Sequence, residues 1–343
     1  MTTQTMSTQT MTTLERTTST GEGLSFDRTV SRRLVERDGL QEVFLTDFQA
    51  RYDGRFLAGA RLPRAHPYYN DHLNRPGLHD PLVILESVRQ ALRCATRVHP
   101  DAPSQALAFT LGSRLEIGSP GALATGAGLD ELELHGRELR SWSRKDVLTR
   151  VVHRVELVLG GLDLGSVTAD TALRPPAAYR KLRLKERTTV PPGSDELLEQ
   201  ERPSTLPPYL LGRQRPENVV LSEPRFADGG LDARLRVPLS HSSFFDRRQD
   251  HLPAAVLPEA ARQAGLLLVG EEFGRSPART VLLGIAMDQR QFAELDEEIT
   301  VRAGFVQPPG AGAGLPVTVE FRQRAAVLAQ ARLRLAGTEP GGR

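Results

Sequence analysis

The sequence predicts an α+β protein made of two copies of one strand-rich unit, each an antiparallel sheet around a single embedded helix. Three observations carry this reading. Leu85-Glu86-Ser87-Val88-Arg89-Gln90-Ala91 returns as Pro258-Glu259-Ala260-Ala261-Arg262-Gln263-Ala264, with the glutamates 173 residues apart. Upstream, Arg61, Pro63 and His66 return as Arg236, Pro238 and His241 at an offset of 175, so the copies differ by a two-residue change in a loop. Around each copy of the charged motif lie runs rich in Leu, Val and Thr with partial alternation, the pattern of strands.

Met1 to about Gly23 is rich in Thr, Ser, Gln and Met and has neither the apolar run of a secretory signal nor the arginines of a transit peptide, so a disordered tail is expected. The first repeat is set at 24–173. It opens with strands over Val43–Asp47 and Phe56–Leu62, separated by the polar turn Tyr52-Asp53-Gly54-Arg55. A helix follows from Pro81 to about Val98: Asp80 can cap it, Pro81 suits its first turn, and Pro100 lies just beyond its end. Apolar residues occupy most of its sides, which predicts burial. Ala106–Ile117, Leu132–Ser141 and Arg150–Thr171 complete the repeat as long antiparallel strands. Residues 174–216 are set as a linker, with several prolines and the basic run Arg180–Arg187, either solvated or in contact with an acidic partner. The second repeat, 217–338, has the same order: strands at Val219–Leu221 and Leu231–Leu239, a helix from about Pro253 to Gly270, then strands at Thr280–Asp288, Glu298–Phe305 and Val317–Leu335. Gly310–Gly314 precedes no helix, so it reads as a hairpin loop rather than a nucleotide-binding motif.

A length of 343 residues accommodates two ordinary domains, and 39% hydrophobic with 25% charged residues indicates a soluble globular chain. No run approaches the roughly 20 apolar residues of a membrane span. A net charge of +2 without a dense basic patch argues against nucleic-acid binding. The single Cys94 cannot form an internal disulfide and reads as a buried filler; a cytoplasmic location is the default.

In each helix the glutamate and arginine stand at i and i+3, on one face, with glutamine one residue further round. Charges inside an apolar helix are costly unless paired or facing a wet cavity. Glu86/Arg89 and Glu259/Arg262 are therefore either intrahelical ion pairs holding the core or site groups, and the latter reading is preferred for at least one pair. The helix entries, Gly77-Leu78-His79-Asp80-Pro81 and Asp250-His251-Leu252-Pro253-Ala254-Ala255, each contain an Asp/His pair beside backbone N–H groups able to stabilise an oxyanion. His79, Asp80, Asp250 and His251 are thus candidate substrate contacts. His66, His72, His79, His241 and His251 are scattered and accompany no HExxH or cysteine pair, so no metal site is expected.

Taken in order, Glu42-Val43-Phe44-Leu45-Thr46-Asp47, Pro63-Arg64-Ala65-His66-Pro67, His79-Asp80-Pro81, Glu86-x-x-Arg89-Gln90, Phe244-Phe245-Asp246, Asp250-His251-Leu252-Pro253 and Glu259-Ala260-Ala261-Arg262-Gln263-Ala264 resemble the A-factor biosynthesis (AfsA-type) hotdog family of γ-butyrolactone synthases, over roughly residues 30 to 335. The resemblance implies a tandem (double) hotdog. It also implies transfer of a β-ketoacyl group from acyl carrier protein to dihydroxyacetone phosphate, then ring closure to a butenolide phosphate, with no metal or redox cofactor. Glu86 and Glu259 are the implied catalytic residues, and Arg89, Arg262, Gln90 and Gln263 the implied substrate contacts. Competing readings are a hotdog thioesterase or dehydratase, and a non-catalytic binder of acyl chains or lactones; a homodimer is left open. Arg247 after Asp246, where the family usually has histidine, and Pro253-Ala254 in place of Pro-Gly depart from the family pattern. Both lie at the second helix entry, so the expectation is that the second repeat's site is the altered one.

Overall fold

The computed structural model describes residues 23–338 apart from 52, 104, 127, 129, 185–188 and 307–313. The expected tail up to residue 22 and most of the glycine-alanine loop lie outside the described residues, as does the end of the basic run.

In the first repeat the strands are β1 (Leu45–Ala50), β2 (Arg55–Arg61), β3 (Leu107–Ile117), β4 (Glu131–Arg144), β5 (Val147–Leu159) and β6 (Leu162–Arg174). The second contributes β7 (Leu221–Ala227), β8 (Gly230–Leu235), β9 (Thr280–Gln289), β10 (Ile299–Phe305), β11 (Leu315–Gln323) and β12 (Ala326–Gly337). They form one antiparallel sheet of order β1-β2-β4-β5-β6-β3-β9-β12-β11-β10-β8-β7. From edge to centre both halves run first, second, fourth, fifth, sixth, third. The duplication seen in sequence is thus a duplication of topology, and the repeats join where β3 pairs with β9 from Gly112↔Asp288 to Glu116↔Gly284.

Arg150–Thr171 and Val317–Leu335, expected as single strands, are each a hairpin. The chain reverses at Gly160-Gly161, both at positive φ, and at Arg324, φ 54°. The turns are so short that apolar alternation runs almost unbroken through them, which hides the break from a periodicity argument.

Helix α1 (Pro81–Val98) starts as expected: Asp80 accepts from Leu82 N at 2.9 Å. The segment expected as a linker carries the short helix α2 (Pro176–Arg183). Helix α3 (Val256–Phe273) ends at Gly274 in the left-handed conformation, a common helix stop. Ile84 and Ala91 of α1 and Ala260, Ala264 and Leu268 of α3 are all fully buried in one continuous core that spans both repeats. Burying a side chain such as Ile84 contributes about 1.5–3 kcal/mol, so the two helices are held mainly by this shared apolar packing. Among the described residues no helix is long and apolar enough to cross a membrane.

Candidate active site

Glu86 projects from the first half of α1 and is almost wholly buried. Arg89 grips it with two bonds, Nε to Oε2 at 2.7 Å and Nη2 to Oε1 at 2.8 Å. Arg37 donates from Nε at 3.1 Å, and Gln90 Nε2 at 2.7 Å. Burial alone would push this carboxyl up; the Arg37 and Arg89 guanidinium groups outweigh it and hold the carboxyl at about 2.

Glu259 repeats the arrangement on α3. Arg213 holds it bidentately, Nε to Oε1 at 2.9 Å and Nη2 to Oε2 at 2.8 Å, and Arg262 and Gln263 also donate to it. Burial is again overridden, here by Arg213 and Arg262, and the carboxyl is held at about 2. The two glutamines do one job. Gln90 accepts from Phe44 N and Leu45 N and donates to Glu42 O; Gln263 accepts from Val220 N and donates to Asn218 O. Each amide is spent on clamping its helix to the segment that enters the first strand of its repeat and on orienting the glutamate.

Arg37 and Arg213 were not singled out from the sequence. They stand 176 residues apart, each six before a valine, Val43 or Val219, so carrying the repeat comparison upstream past residue 40 would have found them. Each also reaches into the other repeat: Arg37 Nη1 donates to Ser243 O at 3.3 Å and to Asp246 at 3.2 Å, and Arg213 Nη1 to Tyr68 O at 2.7 Å. Ser243 and Tyr68 are therefore matching positions, and each site is completed by the opposite repeat.

That exchange makes the sites unequal. At Glu259 the opposite repeat supplies Tyr68, whose hydroxyl donates to Oε2 at 3.1 Å, and Asp80, which accepts from Arg262 Nη1 at 2.7 Å. Burial and the adjacent Glu259 carboxylate push the Tyr68 phenol up, so it stays a donor. At Glu86 the matching residues are Ser243, whose Oγ turns to Glu42 at 2.9 Å, and Pro253. The last match follows from backbone bonds made alike at the two helix entries: Val83 N to Asp80 O and Val256 N to Pro253 O, His79 N to Leu123 O and Leu252 N to Ala293 O. Arg262 is consequently enclosed, 8% exposed, while Arg89 is 26% exposed.

Glu86 and Arg89 border a cavity of ≈ 100 Å³. Much of its wall is apolar or small side chains of α1, β3 and β6, such as Leu85, Leu92, Ala108, Val167 and Ala169; Tyr68, Tyr69, Arg93 and Gln289 also line it, and its far side is the entry of α3 at Ala254, Ala255 and Pro258. The expectation that each helix entry serves its own repeat's glutamate is corrected here. The α3 entry faces Glu86, and the α1 entry, through Asp80, faces Arg262. The departures from the family pattern at the α3 entry thus belong to the first glutamate's site.

The other expected contacts are dispersed. His79 is buried, and its backbone N–H bonds Leu123 O. Asp250 and His251 do not line the cavity. Asp250 accepts from His251 Nδ1 at 2.6 Å and from the Tyr179 hydroxyl at 2.6 Å, and Arg183 of α2 donates to its backbone oxygen at 2.7 Å. Burial would push the Asp250 carboxyl up, but the hydrogen bonds from His251 and Tyr179 hold it well below the usual carboxylate range. His66 and His241 are turn residues, each Nδ1 accepting a backbone N–H two residues on, from Tyr68 and Ser243.

A family model described as the A-factor biosynthesis hotdog domain matches residues 19–107 and 195–338. A 2-oxo-3-(phosphooxy)propyl 3-oxoalkanoate synthase of Streptomyces virginiae is 31% identical over 280 residues, covering 80% of this chain and 87% of that protein. The protein of the same name from Streptomyces coelicolor is 31% identical over 288 residues, covering 82% of this chain and 84% of its own length. With the duplicated sheet-and-helix architecture, these matches establish that the chain belongs to the A-factor biosynthesis hotdog family and folds as a tandem hotdog.

Proposed function

We propose that the chain transfers a 3-oxoacyl group from a thioester on acyl carrier protein to the hydroxyl of dihydroxyacetone phosphate, and that it does so at the Glu86 site. The carrying observation is the ion-paired Glu86/Arg89 beside a cavity with apolar walls, closed on its far side by a helix entry. The product named for the relatives, 2-oxo-3-(phosphooxy)propyl 3-oxoalkanoate, is the ester such a transfer makes.

The acyl chain lies among the small and aliphatic residues of α1, β3 and β6, and its carbonyl oxygen points to backbone N–H groups at the α3 entry. The acceptor hydroxyl attacks the carbonyl carbon as Glu86 takes its proton; the new C–O bond forms, the C–S bond breaks, and the proton leaves with the carrier thiol. A carboxylate held at about 2 is a weak base. An acceptor whose oxygens compete for Arg89 weakens one of the two guanidinium contacts responsible, and so raises the basicity of Glu86 once a hydroxyl is in place. Gln90 positions Glu86 rather than touching substrate. Glu259, Arg262, Gln263 and Asp80 form an enclosed structural counterpart, and Asp250 and His251 stand outside the transfer site. The repeats are taken as 24–173 and 217–338, joined by 174–216.

The test is to incubate the purified chain with a 3-oxoacyl thioester and dihydroxyacetone phosphate and follow the products by mass spectrometry. Formation of the acylated phosphate ester, dependent on Glu86, is expected; free acid alone or unchanged thioester sinks the reading.

A further inference from the structure

Beyond Arg89, the next cationic residue on the same face of α1 is Arg93. Its Nη2 donates to Ala108 O at 2.7 Å, its Nε lies 3.5 Å from Glu36, and its Nη1 is buried without a hydrogen-bond partner at the cavity wall. Glu36 also faces Arg97 at 3.3 Å and Arg247 at 3.5 Å. All three separations exceed the roughly 2.7–2.9 Å of a good charge-assisted bond, so one carboxylate is shared loosely among three guanidinium groups.

The second repeat treats the same corner differently. Glu36 sits in the left-handed backbone region at φ 57°, and its counterpart, one residue before Arg213, is Gly212 at φ 72°. The counterpart of Arg93 is Leu266, and a Cβ added at Gly212 would come within 3.0 Å of its Cδ1. One repeat fills the corner with a leucine on a glycine; the other places a carboxylate on strained backbone among arginines, at a cost of order 1–3 kcal/mol that apolar packing would avoid. The ion pairs here fall into two neighbouring groups: Arg37 and Arg89 balance Glu86 and Asp246, whereas Arg93, Arg97 and Arg247 face Glu36 alone. In the second group three cations against one anion leave two positive charges in excess, the complement of a phosphate monoester dianion.

We propose that Arg93, with Arg97 and Arg247, binds the phosphate of the acceptor substrate, which takes the place that Glu36 holds among these arginines. This rests on the acyl-transfer reading of the Glu86 site and adds to it a phosphate subsite. Arg89 and Arg93 are four residues apart on one helix face, about 6 Å along the axis, so a phosphate at Arg93 leaves the rest of a three-carbon acceptor directed toward Arg89 and Glu86.

The experiment uses the full chain with Arg93→Leu, which installs the second repeat's residue, and Arg247→Ser, at a half-exposed position where folding is undisturbed. Arg93→Leu is expected to raise KM for dihydroxyacetone phosphate about tenfold or more, the loss of one charge-assisted contact, and to erase the preference over unphosphorylated dihydroxyacetone. Arg247→Ser gives a smaller change in the same direction. Wild-type KM and wild-type phosphate preference in both variants overturn the proposal. Thioesters are offered both on carrier protein and on phosphate-free pantetheine. If Arg93→Leu weakens only the carrier-borne thioester, the phosphate recognised is the carrier arm's phosphodiester and the assignment to the acceptor is overturned. Calorimetry with dihydroxyacetone phosphate alone separates this subsite from the transfer reading: binding lost in Arg93→Leu supports the subsite even without turnover, and no binding by the unmodified chain sinks it.

Discussion

Glu86 and Glu259 stand at matching positions on matching helices, each held by two arginines and a glutamine, yet Glu86 borders a cavity and Glu259 is wholly enclosed. The difference does not arise within either helix. It comes from what the opposite repeat delivers: Tyr68 and Asp80 close over Glu259 and Arg262, whereas Ser243 and Pro253 at the equivalent places leave Glu86 and Arg89 beside open space. A duplicated motif can thus keep its geometry in both copies while two contacting residues set its surroundings, one copy bordering a cavity and the other enclosed between the repeats.

The largest effect should separate the two glutamates. Glu86→Gln is expected to lower kcat for acyl transfer about 10²–10⁴-fold, the usual worth of a positioned general base, whereas Glu259→Gln stays within a few-fold of wild type when assayed while folded. Equal losses in the two variants, with circular dichroism unchanged, would break the comparison. Next, Asp80→Ala strips the enclosed site of a charge and α1 of its cap. Chemical denaturation should show a stability loss of about 3–5 kcal/mol, the cost of orphaning a buried ion-pair partner. A loss below 1 kcal/mol means that the Arg262 contact is not structural.

Acid stability sharpens the pairing itself. Both glutamates fall from an ordinary 4.5 to about 2, so their contribution is fully present above about pH 4.5 and is lost as pH drops through 2. Each accounts for roughly 3 kcal/mol over that window, on the scale of about 1.4 kcal/mol per unit. The stability difference between urea titrations at pH 5 and pH 2.5 should therefore shrink by about 2 kcal/mol in Glu259→Gln, and an unchanged difference excludes the pairing described. The smallest effect tests the role of the opposite repeat: Ser243→Tyr copies the closed site onto the open one. A fall in kcat/KM of about tenfold is expected, from crowding of a packed corner. Wild-type activity in that variant would show that residue size at this position does not set which site is open.

Much of the architecture was legible because its signals are local. Asp80 before Pro81, and an apolar run interrupted only by Glu86, Arg89, Gln90 and a few polar residues, mark α1 without any tertiary information. Strand ends were less legible: Gly160-Gly161 and the Arg324 turn interrupt alternating runs without breaking their pattern. At the site, the Glu/Arg/Gln triads were found from their repetition, but Arg37 and Arg213 lie outside the helices and show their purpose only when folded against them. Asp250 and His251 look like helix-entry residues in sequence, yet their side chains meet Tyr179 and Arg183, about 70 residues earlier in the chain.

By itself the sequence determined that there are two units of one topology, that each buries a helix, and that each helix carries a carboxylate, a guanidinium and an amide on one face. Periodicity, capping and repetition are properties of neighbouring residues. Only the tertiary structure decided which carboxylate meets a cavity and which is sealed. Pairing and burial act over about 3 Å, and the residues that come that close to Glu86, Glu259 and their arginines belong in part to the other repeat.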